Sequence, residues 1–166
     1  VHYSNIKILG VVYLFFYTST SLWLRGESFE SAIFFITILS VCIFSDIGGY
    51  TFGKIIGGKK LTKISPNKTV SGSLGSFVFS IFPLFVVNLQ NNINIDLDFS
   101  SKNIIFCLLI SLFCQLGDLL ISFFKRLNKV KDTGKILPGH GGMLDRIDGI
   151  IFALPAVWIL KITLIF

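Results

Sequence analysis

The stretch Ile104–Phe124, IIFCLLISLFCQLGDLLISFF, decides the fold. It is apolar almost throughout and holds one charged side chain, Asp118. A bilayer crossing takes about 20 helical residues, so this segment reads as a transmembrane helix. Four more segments read the same way: Ile8–Leu24, Ala32–Tyr50, Leu74–Leu89 and Gly149–Phe166. The third is short unless it begins near Val70. Pro83 and Pro155 fall inside spans, which bundled helices tolerate.

Composition agrees. Of 166 residues, 52% are hydrophobic and 14% charged, with 18 Phe and a mean hydropathy of +0.77. Soluble domains carry about 25% charged residues. A soluble core of this size would leave too much apolar surface in water. The expected fold class is all-α: a polytopic transmembrane helix bundle of about five spans. No soluble domain or linker interrupts residues 1–166, which read as one domain. The first span lacks a basic leader and a small-residue cleavage site, so no cleavable signal is expected.

Charge sets the expected topology. With five spans, one side holds Lys7, Lys54, Lys59, Lys60, Lys63, Lys68, Lys125, Arg126, Lys129, Lys131, Lys135 and Arg146. The other holds Arg25, Lys102 and Lys161. Twelve against three, of 15 in all, puts the two long basic loops in the cytosol by the positive-inside rule. Glu27, Glu30, Asp96 and Asp98 fall on the far side, in short polar connectors. Cys42, Cys107 and Cys114 lie in spans and read as small hydrophobes. They show neither a metal-type CxxC spacing nor a disulfide framework.

Ionisable groups inside spans are costly and mark function. Asp46 lies about 12 Å inward of Lys54, and Asp118 about 10 Å inward of Lys125, at a helical rise. Both carboxylates are therefore expected at similar depth below the cytosolic face. The alternative is that each hydrogen-bonds another helix. Asp145 and Asp148 are spaced i, i+3, which puts them on one helix face. Acids at a helix start also suit the macrodipole, which would account for one of the two. Asp118, Asp145 and Asp148 together can form an oxygen-ligand site for Mg²⁺, which takes a few carboxylates plus substrate phosphates.

The loops supply the opposite charge. Leu137–Gly142, LPGHGG, is a tight segment whose backbone can approach an anion. His140 sits between glycines and can contact phosphate or carry a proton; a merely solvated His is the alternative. The first basic loop, GKIIGGKKLTKISPNKTVSGSLGS, lacks the Walker A pattern. Its Ser65, Lys68 and Thr69, with the flexible SGSLGS, suit nucleotide phosphates or an anionic headgroup. Lys54, Lys59 and Lys60 fit equally well a surface drawn to anionic lipid. Basic groups against a bilayer, without interleaved aromatic platforms, argue against nucleic acid.

One resemblance spans these motifs. Ser122-Phe-Phe-Lys125-Arg126, Lys131-Asp132, Pro138-Gly139-His140-Gly141-Gly142 and Asp145-Arg146-Ile-Asp148 resemble the signature of the phosphatidate cytidylyltransferase (CDP-diacylglycerol synthase) family. Asp46–Gly57 (DIGGYTFGKIIG) and Ser65–Gly72 (SPNKTVSG) resemble the same family. The likeness runs from about Val11 to the end of the chain. Family members are usually longer, so residues 1–166 would be the C-terminal part of that architecture.

The resemblance implies a reaction: CTP and phosphatidic acid give CDP-diacylglycerol and pyrophosphate, with Mg²⁺. It implies Asp118, Asp145 and Asp148 on the metal, with a second cation at Asp46 as an option. Lys125, Arg126, Lys131 and Arg146 would hold phosphates or the leaving pyrophosphate. Ser65, Lys68 and Thr69 would position substrate phosphate. Gly139, His140, Gly141 and Gly142 would shape a phosphate loop, and Asp132 would orient basic side chains. The expected setting is a bacterial inner membrane with catalytic loops in the cytosol, with room for a homodimer. The competing readings are a CTP-dependent polyprenol or phytol kinase, a cytidylyltransferase for another lipid phosphate and, more remotely, an ion transporter.

Overall fold

A computed structural model of the chain describes residues 2–62, 65, 68–89, 97–130, 133–134, 142 and 144–163; the side chains of residues 2–6, 145 and 146 lie outside that description. The described residues form six helices: α1 (His2–Arg25), α2 (Phe29–Ile55), α3 (Val70–Ser80), α4 (Phe82–Asn88), α5 (Ser101–Leu127) and α6 (Leu144–Thr163). The protein is an all-helical membrane protein. Among the described residues, four stretches are long and apolar enough to cross a membrane: Lys7–Arg25, Phe29–Ile55, Val70–Asn88 and Ser101–Leu127. The fifth expected span, Gly149–Phe166, falls on α6, which is not among those four, because Asp145, Arg146, Asp148 and Lys161 interrupt its apolar run.

Helix starts follow from local chemistry. Ser28, Thr69 and Ser100 are extended N-caps whose hydroxyl oxygens accept from the backbone N–H of Ser31, Gly72 and Asn103. Such caps satisfy amides that the first turn leaves unpaired. The third span takes the earlier of the two starts the sequence left open, Val70, so all of SGSLGS is helix and not flexible loop. It also breaks at Ile81, and Pro83 sits in the first turn of α4, where a missing N–H costs nothing.

Two glycine-mediated approaches set the architecture. Where α2 meets α3, a Cβ on Gly75 would lie 2.5 Å from Phe52 Cβ, and one on Gly72 would lie 2.7 Å from the Gly49 carbonyl oxygen. Where α5 meets α6, a Cβ on Gly117 would lie 2.9 Å from Phe152 Cβ. Only the absence of side chains allows these backbones so close, the usual basis of tight helix packing in lipid. Between the pairs lies a core of Ile38, Val41, Cys42, Leu84, Phe106, Ile110, Leu154 and Val157. Ile8, Leu9, Phe15, Leu22, Ile36, Ile43, Leu74, Val78, Leu112 and Leu120 face outward, as a lipid solvent requires.

Candidate active site

Three helices each bring one carboxylate to a common cavity of about 380 Å³: Asp46 from α2, Asp118 from α5 and Asp148 from α6. Ligand atoms of Asp46, Cys114 and Asp118 all lie within 4.8 Å of one another. Asp118 and Asp148 are neighbours because of Gly149, where a Cβ would lie 2.7 Å from Asp118 Oδ1 and 2.5 Å from Cys114 Sγ. Carboxylates this close repel one another unless cations lie among them. Two ammonium groups answer in part. Lys68 Nζ is 2.7 Å from Asp118 Oδ2, and Lys125 Nζ is 4.0 Å from Asp148 Oδ2.

Among the described side chains, three carboxylates against two ammonium groups leave a negative balance, which suits a divalent cation. The donor set fits a hard one, since carboxylate oxygens are what Mg²⁺ or Ca²⁺ takes. Cys114 does not belong among such ligands: its thiol is soft, fully buried and directed at Asp46 Oδ1 from 3.9 Å. It acts as a packing neighbour of the carboxylates.

The loop between α2 and α3 delivers Lys68. Gly57 and Gly58 leave α2 with φ of 63° and 103°, a backbone that side chains rarely adopt. The chain then returns on itself. The Leu61 amide donates to the Lys68 carbonyl at 2.8 Å, and the Val70 amide to the Lys59 carbonyl at 3.0 Å. The Lys68 amide donates to the Ser65 carbonyl at 3.1 Å. These bonds hold the backbone of Ser65, Lys68 and Thr69, all three of which line the cavity.

A hydrogen-bonded chain ties the walls together. Ser73 on α3 donates to Gln115 Oε1 at 2.5 Å, and Gln115 Nε2 donates to Ser111 Oγ at 3.2 Å. Ser111 in turn pairs at 2.8 Å with Ser45 on α2, both fully buried. Gln115 and Ser73 line the cavity; sequence reasoning offered Ser73 only as one of the SGSLGS hydroxyls and passed over Gln115. The available signal was spacing. Gln115, Asp118 and Ser122 follow i, i+3, i+7 on one face of α5, and all three line the cavity.

The remaining sequence candidates fall as follows. Asp46, Ser65, Lys68, Thr69, Asp118 and Asp148 meet in the cavity wall. Lys125 reaches that wall through Asp148. Arg126 is exposed, and its Nη1 donates to the Val130 carbonyl at 3.4 Å. Gly142 packs against Thr133 and Gly134, with room for no side chain. Asp145 and Arg146 lie in the first turn of α6, their side chains outside the description. Lys131, Asp132, Gly139, His140 and Gly141 lie outside the described residues.

A sequence profile described as the cytidylyltransferase family matches residues 2–164. The chain belongs to the cytidylyltransferase family. Among curated proteins, it is 40% identical over 163 residues to the phosphatidate cytidylyltransferase of Staphylococcus aureus (strain COL). That alignment covers 95% of this chain and 57% of the relative. The proteins of the same name from Staphylococcus epidermidis (strain ATCC 12228 / FDA PCI 1200) and Staphylococcus saprophyticus subsp. saprophyticus are 38% and 39% identical over 159 residues, with the same coverage. This cytidylyltransferase-family chain thus spans 57% of the length of the curated relatives it matches.

Proposed function

We propose that this chain carries the catalytic part of a phosphatidate cytidylyltransferase, which joins CTP to phosphatidic acid with release of pyrophosphate. The observation that carries this is convergence: carboxylates from three helices meet Lys68, Ser65 and Thr69 in one cavity. The names of the curated relatives point the same way.

In this reaction a phosphate oxygen of the lipid attacks the α-phosphorus of CTP. The bond from that phosphorus to the bridging oxygen breaks, and pyrophosphate leaves with the electron pair. The nucleophile is already an anion, so no strong base is needed. What the chain must supply is alignment and positive charge. Bound Mg²⁺ supplies charge neutralisation at the phosphate oxygens. Asp118 and Asp148 hold it, with Asp145 as a third ligand and Asp46 completing the acidic wall. Lys68, Ser65 and Thr69 bind substrate phosphate. Lys125, Arg126, Lys131 and Arg146 stabilise the leaving pyrophosphate. Gly139, His140, Gly141 and Gly142 shape the phosphate loop, with Asp132 orienting its basic neighbours. Residues 1–166 act as one catalytic domain in a bacterial inner membrane, with both basic loops in the cytosol.

The test uses the full-length protein in detergent–lipid micelles with phosphatidic acid, Mg²⁺ and CTP labelled at either the α- or the γ-phosphate. The expected result is α-label in the lipid, pyrophosphate release that requires the lipid, and loss of both in Asp145→Asn or in chelator. γ-Label in the lipid would replace this reading with a kinase.

A further inference from the structure

We propose that Lys68 couples cation binding to phosphate binding: its ammonium group holds Asp118 until a divalent cation takes that carboxylate, and then turns to the substrate phosphate. This rests on the function proposed above. Its ground is the 2.7 Å ion pair between Lys68 Nζ and Asp118 Oδ2, the shortest ion pair among the described residues. Asp118 also has a ligand atom within 4.8 Å of one on Asp46 and shares the cavity wall with Asp148. It is therefore the residue a cation must share, and at 2.7 Å one of its oxygens is already engaged.

A cation on Asp118 and an ammonium group kept on its Oδ2 would crowd two positive charges onto one carboxylate. Mg²⁺ binds oxygen at about 2.0–2.1 Å, so its charge would lie close beside that of Lys68, and the two repel. The divalent ion, attracted by several carboxylates at once, displaces the single charge. Displacement is easy on the lysine side. The backbone of Lys68 is pinned through Leu61 and Ser65, while its side chain is partly exposed on a flexible four-carbon stem. Once released, Lys68 stands between Ser65 and Thr69 in the cavity wall, a donor set that suits a phosphate. By linkage, the cation then strengthens phosphate binding, and phosphate strengthens cation binding by the same factor.

The experiment follows Mn²⁺ binding to the full-length protein without nucleotide, by the paramagnetic resonance of the free ion. Lys68→Gln is expected to bind Mn²⁺ at least about fivefold more tightly, the lower end of typical coupling. Lys68→Arg, which keeps the competing charge, and Lys60→Gln, which removes an exposed charge from the same loop, are expected to match the unaltered protein. Lys68→Gln binding no more tightly than Lys60→Gln would overturn the coupling and leave the metal site standing. Tightening in Lys68→Arg equal to that in Lys68→Gln would overturn it too. No Mn²⁺ bound by any form would overturn the metal site and the coupling together. A second readout needs no variant: amine tagging of Lys68 in the unaltered protein, measured by peptide mass spectrometry. Mn²⁺ is expected to raise tagging several-fold, and inorganic phosphate added with Mn²⁺ to lower it. Tagging that Mn²⁺ leaves unchanged or reduces would overturn the proposal.

Discussion

Where α2 meets α3, Gly48, Gly49 and Gly53 face Gly72 and Gly75; where α5 meets α6, Gly117 faces Gly149. Both pairs of helices close by omitting side chains, yet they deliver opposite chemistry to the cavity. The α2–α3 pair carries the loop with Lys68 and the hydroxyls of Ser65, Thr69 and Ser73. The α5–α6 pair carries Asp118 and Asp148. The division is not complete: Asp46 is an acid on the side that carries Lys68, and Lys125 of α5 is a base beside Asp148. Among the described residues the walls are joined by the Lys68–Asp118 ion pair and by the Ser73–Gln115, Ser45–Ser111 and Cys114–Asp46 hydrogen bonds. The difference teaches that close packing itself is neutral to function. What it does is fix how far apart two chemically distinct walls stand.

Removing the acid at the junction should have the largest effect. Asp118→Asn is expected to lower CTP-dependent pyrophosphate release by about 1,000-fold, the upper range for losing one electrostatic group in a site. Retained activity would mean that the α5–α6 wall is not the catalytic one.

Next comes the spacing of that wall. Gly149→Ala puts a methyl group against Cys114 and Asp118 and should shift Asp118 from Asp148. Small misplacements in a site can cost about 100-fold in rate, so activity is expected to fall by roughly that factor. Gly75→Leu overpacks the other pair against Phe52 and should cost about 1–3 kcal/mol of stability. The comparison predicts that Gly149→Ala loses proportionally more activity than stability, and that Gly75→Leu does the reverse. Thermal unfolding in detergent, measured beside the rate, separates the two. Equal patterns in both variants would erase the distinction between the walls.

The links between walls should matter less. A double-mutant cycle on Ser73→Ala and Gln115→Ala is expected to give about 0.6 kcal/mol of coupling, and at most about 1.7, the measured range for hydrogen bonds between membrane helices. Ser45→Ala should be smallest, at no more than about 0.6 kcal/mol, because it breaks one buried hydroxyl pair that does not line the cavity. A larger loss of rate than of stability in Ser45→Ala would instead extend the site down to that pair.

The hydropathy of this chain by itself determined a helical membrane bundle, since long apolar runs such as Ile104–Phe124 have no other stable arrangement in lipid. Intramembrane cost singled out Asp46 and Asp118, and the i, i+3 spacing picked out Asp148. All three line the cavity. Composition misled at SGSLGS, because serine and glycine read as loop in water but serve as a close-packing face between helices in lipid. Only the tertiary structure decided that Lys68 meets Asp118 across 50 residues of sequence, that Ser73 meets Gln115 across 42, and that Cys114 lies beneath Asp46. Hydrophobic period and motif spacing report what one helix presents along its own faces. Which face of one helix meets which face of another depends on where side chains are small enough to let backbones touch, and in this chain that is set by glycines on both partners at once.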